Sequence, residues 1–273
     1  MKILMLYTSH RQIEEFKVAQ FLYNRNEFLK SMDILFHCNA SDSVDEWTTR
    51  NHNRKFDKNT VSDIMNGFHS PNISTVFTDT NSGQHVGVAE QISSVYDQLT
   101  GYDFVIHLHP DCFILETDYL QQVLQNADKN TTDYIAWELP RTHGMGADQH
   151  RKLEYGTDFF IFTPKEKNNI WKNYKEYWGK EPGPIIRFEH GQPVFAQPVK
   201  GDGTLSGGKE PWNKHPRCGC EGFMGDQISQ RGLNVTPLDR GEIGYLTSSL
   251  ESNGLWHCHD LKAIETYLNR SFR

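Results

Sequence analysis

The sequence has no basic run, no long hydrophobic run and no paired cysteine framework. Its 28 Lys and Arg are outnumbered by 35 Asp and Glu, for a formal charge of −7. Sequence-independent binding to nucleic acid needs clustered cations that displace counterions, so that role is not expected. The longest unbroken apolar stretches, such as Ile3–Tyr7, fall far short of the ~18 residues of a membrane-spanning helix. The opening MKILMLYTSH carries one Lys and a short apolar run with no small-residue cleavage site after it. It therefore reads as a first strand rather than a leader. Five cysteines (Cys38, Cys112, Cys218, Cys220, Cys258) are an odd number in 273 residues. That argues against disulfides and for reduced thiols in a cytoplasmic setting. What is present suits a sizeable core: 37% of residues are hydrophobic, with 16 Phe, 11 Tyr and 6 Trp. No repeat or linker divides the chain, and its length suits one large α/β domain over 1–273.

The first half alternates strand and helix signals. Lys2–Tyr7 is nearly continuously apolar, as in a strand buried on both faces. Ser9-His10-Arg11-Gln12 has capping-box spacing, and Ile13, Phe16 and Ala19 follow at helical intervals. Strands are expected at Asp33–His37, Thr75–Thr78 and Phe104–Leu108, with helices from Gln84 to Leu99 and from Asp118. Strands separated by helices predict a mostly parallel sheet with crossover connections. Further on, Asp133–Trp137 and Thr157–Phe162 read as strands. Thr163-Pro164-Lys165-Glu166 reads as a helix start with Pro at its first position. Ile170, Trp171, Tyr174, Tyr177 and Trp178 form an aromatic stripe on that helix, of the kind that faces a core. The stretch from Gly179 to Cys220 reads as a long Gly- and Pro-rich loop. Gly222–Gln230 reads as a helix ended by Gly232, and Leu261–Asn269 as the last helix.

Chemistry concentrates in Tyr102-Asp103-Phe104-Val105-Ile106-His107-Leu108-His109-Pro110-Asp111. In extended geometry His107, His109 and Asp111 project to one side. Pro110 lacks an N–H, so the ladder is expected to stop there and leave Asp111 at the strand's carboxyl end. That edge is where open α/β sheets bind ligands. The plainer reading is a turn-capping Asp111 and histidines packed in the sheet. Cys218–Gln227 holds two acids, Glu221 and Asp226, at a helix start, where they also suit the helix N-terminus. Asp158 is a charge in an otherwise apolar strand and needs a partner. In Trp256-His257-Cys258-His259-Asp260, His257 and His259 share a face if extended. Cys218-x-Cys220 with His215 and Cys258 fits no common structural zinc spacing.

The order strand, helix, strand, Asn81-Ser82-Gly83, helix and then residues 102–111 resembles the nucleotide-binding half of a GT-A-fold glycosyltransferase. The resemblance covers residues 1–120 above all and 133–260 more loosely. In that family a strand ends in an Asp-x-Asp motif that holds a divalent metal against the diphosphate of a sugar nucleotide. Here His109-Pro110-Asp111 stands in its place. The resemblance implies a GT-A-like single domain, a mostly parallel twisted sheet flanked by helices. Residues 1–120 would bind the nucleotide sugar and the less regular 121–273 the acceptor. It implies a hexosyl- or pentosyltransferase moving a sugar, UDP-linked by expectation, to a hydroxyl acceptor such as a glycan. Asp111 and His109 would hold the metal with His257 or His259; a His in place of Asp favours Mn²⁺, with Mg²⁺ the alternative. Thr8, Ser9, His10, Asn39, Asn81, Gly83 and Asp111 would contact the donor, and Trp137 and Asp158 the acceptor. Asp226 first, and Glu221 as its rival, would take the acceptor's proton in an inverting reaction.

Two other functions use the same residues. His109-x-Asp111 with His257 or His259 matches the two-His-one-carboxylate set of non-haem Fe(II)/2-oxoglutarate oxygenases, but those are built from many alternating strands. A catalytically silent sugar-nucleotide or glycan binder is the third, suggested by the missing first Asp.

Overall fold

Ile3–Ser9 (β1) is buried at every position, and so is Asp33–Cys38 (β2). A run with no exposed side can only be an interior strand covered on both faces. The computed structural model describes residues 1–9, 12–39, 58–78, 84–138, 155–174, 185–189, 192–195, 220–238, 254–258 and 266.

In chain order, β1 is followed by helices Ile13–Asn24 (α1) and Glu27–Lys30 (α2), then β2 and Lys58–Asn66 (α3). Strand Ile73–Phe77 (β3), helix Gln84–Leu99 (α4) and strands Phe104–Leu108 (β4) and Cys112–Ile114 (β5) come next. Helix Asp118–Asn126 (α5) precedes strands Tyr134–Glu138 (β6), Tyr155–Phe162 (β7), Ile185–Glu189 (β8) and Gln192–Phe195 (β9). Helix Cys220–Arg231 (α6) and strands Val235–Pro237 (β10) and Leu255–His257 (β11) complete the described elements.

Seven strands form one sheet in the order β10-β6-β7-β4-β1-β2-β3. All neighbours pair in parallel except at β7, which runs antiparallel to β4 and β6. The fold is α/β with a mostly parallel sheet and helices on both faces. Alternate residues of each strand feed two separate cores. Met5, Tyr7, Ile34, Phe36, Ile106, Phe159 and Ile161 join Phe16 of α1, Ile64 of α3 and Leu120 of α5. Leu4, Leu6, Leu35, Val105, Phe160 and Phe162 join Ile92 of α4, Trp171 and Phe223 of α6. Among the described residues no helix is long and apolar enough to cross a membrane.

Helix α6 ends as expected, at Gly232 with φ 59°, a conformation that favours glycine. Other local expectations are corrected. Ser9 is the last residue of β1, not a helix cap; α1 is capped at Gln12 with no side-chain cap bond. The helix expected from Thr163 is two short 3₁₀ turns, Glu166–Asn168 and Trp171–Asn173. Side chains take the carbonyls an α-helix would use: Asn168 Nδ2 donates to Thr163 O at 2.8 Å and Tyr134 Oη to Asn168 O at 2.6 Å. Ile170, Trp171 and Tyr174 of the stripe are buried; 177 and 178 lie outside the described residues. The expected loop over 179–220 contains the antiparallel pair β8–β9. The helix over 261–269 lies outside the described residues apart from 266.

Candidate functional site

The carboxyl edge of β4 is where the chain brings distant acids together. His109 N donates to Asp158 O at 3.0 Å, extending the β4–β7 ladder one step past Leu108↔Phe159. Because β7 is antiparallel, its opening residues, Asp158 included, meet the carboxyl end of β4. Pro110 then turns the chain, closed by Cys112 N donating to His109 O at 3.0 Å. That is a β-turn with Pro at its second position. His107 and His109 therefore follow the strand's alternation, but Asp111 reaches the edge through the turn, not by extension as expected.

After the turn, β5 pairs antiparallel with β11, with His257 opposite Cys112, and Cys258 N donates to Asp111 O at 3.0 Å. This clamp carries a residue almost 150 positions away in sequence to the same edge. His257 Nδ1 lies 2.9 Å from Asp158 Oδ2, and Nε2 lies 3.7 Å from Asp111 Oδ1. Gln12 Nε2 donates to Asp111 Oδ2 at 3.0 Å, and Cys112 Sγ donates to Asp158 Oδ2 at 3.6 Å. The Asp111 side chain is 4% exposed, against 15% for Asp158 and 21% for His257. The cluster thus meets solvent through His257 and Asp158.

Burial works against a charged His257, but Asp158 and Asp111 outweigh it and raise its pKa to about 10. Its imidazolium is the one cation held between the two carboxylates among the described residues. His109 and His107 go the other way. Burial lowers both, and each also resists the charge of a neighbouring histidine. His107 is stacked on Phe160 at 4.5 Å, and its Nε2 meets Thr8 Oγ1 at 2.8 Å. His109 stands edge-on to His107 at 5.5 Å. His109 Nε2 is buried with no hydrogen-bond partner among the described residues.

Of the expected site residues, Asp111, Asp158 and His257 converge. Asp158 faces His257 and Cys112 in the metal-candidate cluster. Thr8 and Ser9 are buried at the end of β1 and already engaged: Thr8 on His107, and Ser9 O with Gln91 Nε2 at 3.0 Å and Asn39 N at 3.1 Å. Asn39 is buried just past β2. Trp137 is half-buried near the end of β6, against the α1-side core. His10, Asn81, Gly83 and His259 lie outside the described residues. On α6, Thr157 Oγ1 lies 3.4 Å from Glu221 Oε1, which ties Glu221 to the strand that carries Asp158. Asp226 is five residues on, about 7.5 Å along the axis and roughly 140° around it. Because the helix already starts at Cys220, Asp226 lies past its first turn and not at the helix start as expected; only Glu221 is there.

Gln12 and Cys112 were not anticipated. Gln12 reads in sequence as the closing, fourth residue of a capping box, and Cys112 carries no signal beyond following Asp111. The donor set suits a divalent cation: two carboxylates and an imidazole converge, beside an unsatisfied histidine nitrogen. Cys112, Asp158 and His257 each offer a ligand atom, all within 4.8 Å of one another.

No protein-family model and no curated protein matches the chain. Solved structures similar to it include the bifunctional glycosyltransferase WbbM, at 12% identity and TM-score 0.42, covering 63% of this chain and 34% of that one. The mannosyltransferase PcManGT from Pyrobaculum calidifontis, in complex with GDP-Man and Mn²⁺, aligns at 10% identity and TM-score 0.39 over 59% of this chain and 44% of its own. The galactosyltransferase LgtC, in complex with donor and acceptor sugar analogues, aligns at 10% identity and TM-score 0.36 over 63% and 64%. The alignment spans less than two thirds of each of these three chains.

Proposed function

We propose that the chain is a GT-A-type glycosyltransferase, moving a sugar from a nucleotide diphosphate, UDP by preference, to the hydroxyl of a glycan or similar acceptor. One observation carries the reading: a buried carboxylate, Asp111, just past a central parallel strand and joined there by His257 through the β5–β11 clamp. Asp111 and His257 would hold a divalent cation, Mn²⁺ before Mg²⁺, with His109 as a further donor. Such an ion neutralises the leaving diphosphate, the main electrostatic task of the reaction. Thr8 and Ser9 at the end of β1 and Asn39 just past β2 would serve the donor side within 1–120, with His10, Asn81 and Gly83 assigned to it by the resemblance alone. Trp137 and the acids of α6 belong to the acceptor side within 121–273. Glu221, tied to β7, now stands ahead of Asp226 as the group that takes the acceptor's proton if the enzyme inverts. The mostly parallel sheet disfavours the oxygenase reading, whose fold is a double-stranded β-helix.

Thermal unfolding against a panel of sugar nucleotides, with and without Mn²⁺, tests this. A ligand at 100 times its Kd adds about 2.7 kcal/mol to stability, or about 5–10 °C for a chain of this size. A UDP-sugar that stabilises only with Mn²⁺, and is then turned over, is the expected result. No response to any sugar nucleotide, with a response to Fe²⁺ and 2-oxoglutarate, would overturn it. Binding without transfer or hydrolysis would leave the silent binder.

A further inference from the structure

We propose that Cys112, Asp158 and His257 form a second cation site, for a thiophilic divalent ion of the zinc class, on the side of the His257 ring away from Asp111. The three residues come from β5, β7 and β11, so the site exists only once the sheet and the clamp are formed. One ligand atom of each lies within 4.8 Å of the others. Asp158 Oδ2 is central, 2.9 Å from His257 Nδ1 and 3.6 Å from Cys112 Sγ. Bonds of about 2.0–2.3 Å set tetrahedral zinc donors roughly 3.3–3.8 Å apart. The three groups therefore close on an ion with shifts of about 1 Å.

The chemistry of the set is specific. Thiolate, imidazole and carboxylate together are softer than the oxygen donors that Mg²⁺ prefers. A zinc-bound histidine ordinarily donates its other N–H to a carboxylate, and Asp111 Oδ1 stands 3.7 Å from His257 Nε2. Solvent reaches the cluster through Asp158 and His257, which leaves a fourth position for water. Binding exchanges protons for the ion. The Cys112 thiol releases its proton to solvent and binds as thiolate. His257 releases its Nδ1 proton and binds through that lone pair, keeping Nε2–H toward Asp111.

The site itself does not depend on glycosyl transfer. One consequence does: an ion on Nδ1 engages the ring that the transferase reading assigns to the hard cation, so zinc opposes Mn²⁺-dependent donor binding. Cobalt(II) reports thiolate coordination by a charge-transfer band in the near ultraviolet. The full chain with one equivalent of Co²⁺ is expected to show this band, Cys112→Ser to lose it and Cys258→Ser to keep it. Zinc K-edge absorption of the unaltered protein adds a test that needs no variant, with one sulfur neighbour expected at about 2.3 Å. A zinc shell without sulfur, or a band that survives Cys112→Ser, overturns the proposal. Neither readout involves a sugar nucleotide, so failure here and failure of the transferase reading are told apart.

Discussion

Gly254 is the hinge on which His257 hangs, and replacing it with alanine tests the clamp. Its φ is 69°, and its carbonyl accepts from Leu115 N at 2.7 Å. A methyl carbon added there would lie 2.5 Å from Glu116 O, 2.7 Å from Glu116 Cβ and 2.8 Å from Glu116 N. Two of those atoms are backbone and cannot rotate away. The left-handed conformation alone costs about 1–2 kcal/mol for a residue with Cβ, and steric overpacking typically adds about 1–3 kcal/mol. Against this, β11 is three residues long, and burying Leu255 returns only about 1.5–3 kcal/mol. Releasing β11 from β5 is then the cheaper relief, and the site comes apart before the sheet does. Gly254→Ala should show fast amide exchange across Leu255–His257 and at least about tenfold weaker Mn²⁺ binding, with a loss of global stability capped at about 1.5–3 kcal/mol, the worth of the released strand. Gly232→Ala is the control. It has φ 59° but open space around its Cβ, so it should cost about 1–2 kcal/mol and leave β11 protected. If the two variants exchange and bind alike, the clamp does not position His257.

The acids of α6 separate by rate. Glu221→Gln should cut turnover by about 10²–10⁴-fold with donor binding little changed. Asp226→Asn, past the first turn of α6 and beyond the reach of the helix N-terminus, should change stability by only about 0.5 kcal/mol and rate little; the reverse pattern returns the role to Asp226. Asp133 makes a pH prediction. Burial opposes its charge, but Lys167 Nζ at 2.7 Å and Asn234 N at 3.0 Å outweigh it and lower its pKa. A carboxylate lowered on folding contributes fully above its unfolded pKa of about 3.9 and loses that contribution as pH falls through the folded value. Asp133→Asn should therefore cost about 1.5–3 kcal/mol at pH 7, and the gap to the parent in urea unfolding should close at pH values below about 4. A gap that stays constant with pH would show that the ion pair contributes nothing.

Much of the sheet was legible because its strands carry their burial in their composition. Continuous apolar runs marked β1 and β2, and β4 and α4 fall on the expected residues. The α6 helix was betrayed by Gly232. The site was half legible. Asp111 announced itself by sitting after an apolar strand at a proline, and Asp158 by being charged inside one. Their meeting with His257 was not legible, because β5 and β11 are three-residue strands whose pairing is long-range and leaves no local period. The residues after Thr163 misled for a related reason. Pro164 at a first-turn position is a real helix signal, but Asn168 Nδ2 takes the Thr163 carbonyl from within the segment and Tyr134 Oη takes the Asn168 carbonyl from outside it.

The most direct test of the central claim is calorimetric titration of a UDP-sugar, in the presence of Mn²⁺, into the parent protein and Asp111→Asn. The substitution keeps the side chain's shape and removes the charge that a hard cation needs. The account predicts that the parent binds, that the variant binds at least about tenfold more weakly and loses transfer, and that both unfold at similar temperatures. Near-parental donor affinity and turnover in Asp111→Asn would contradict it.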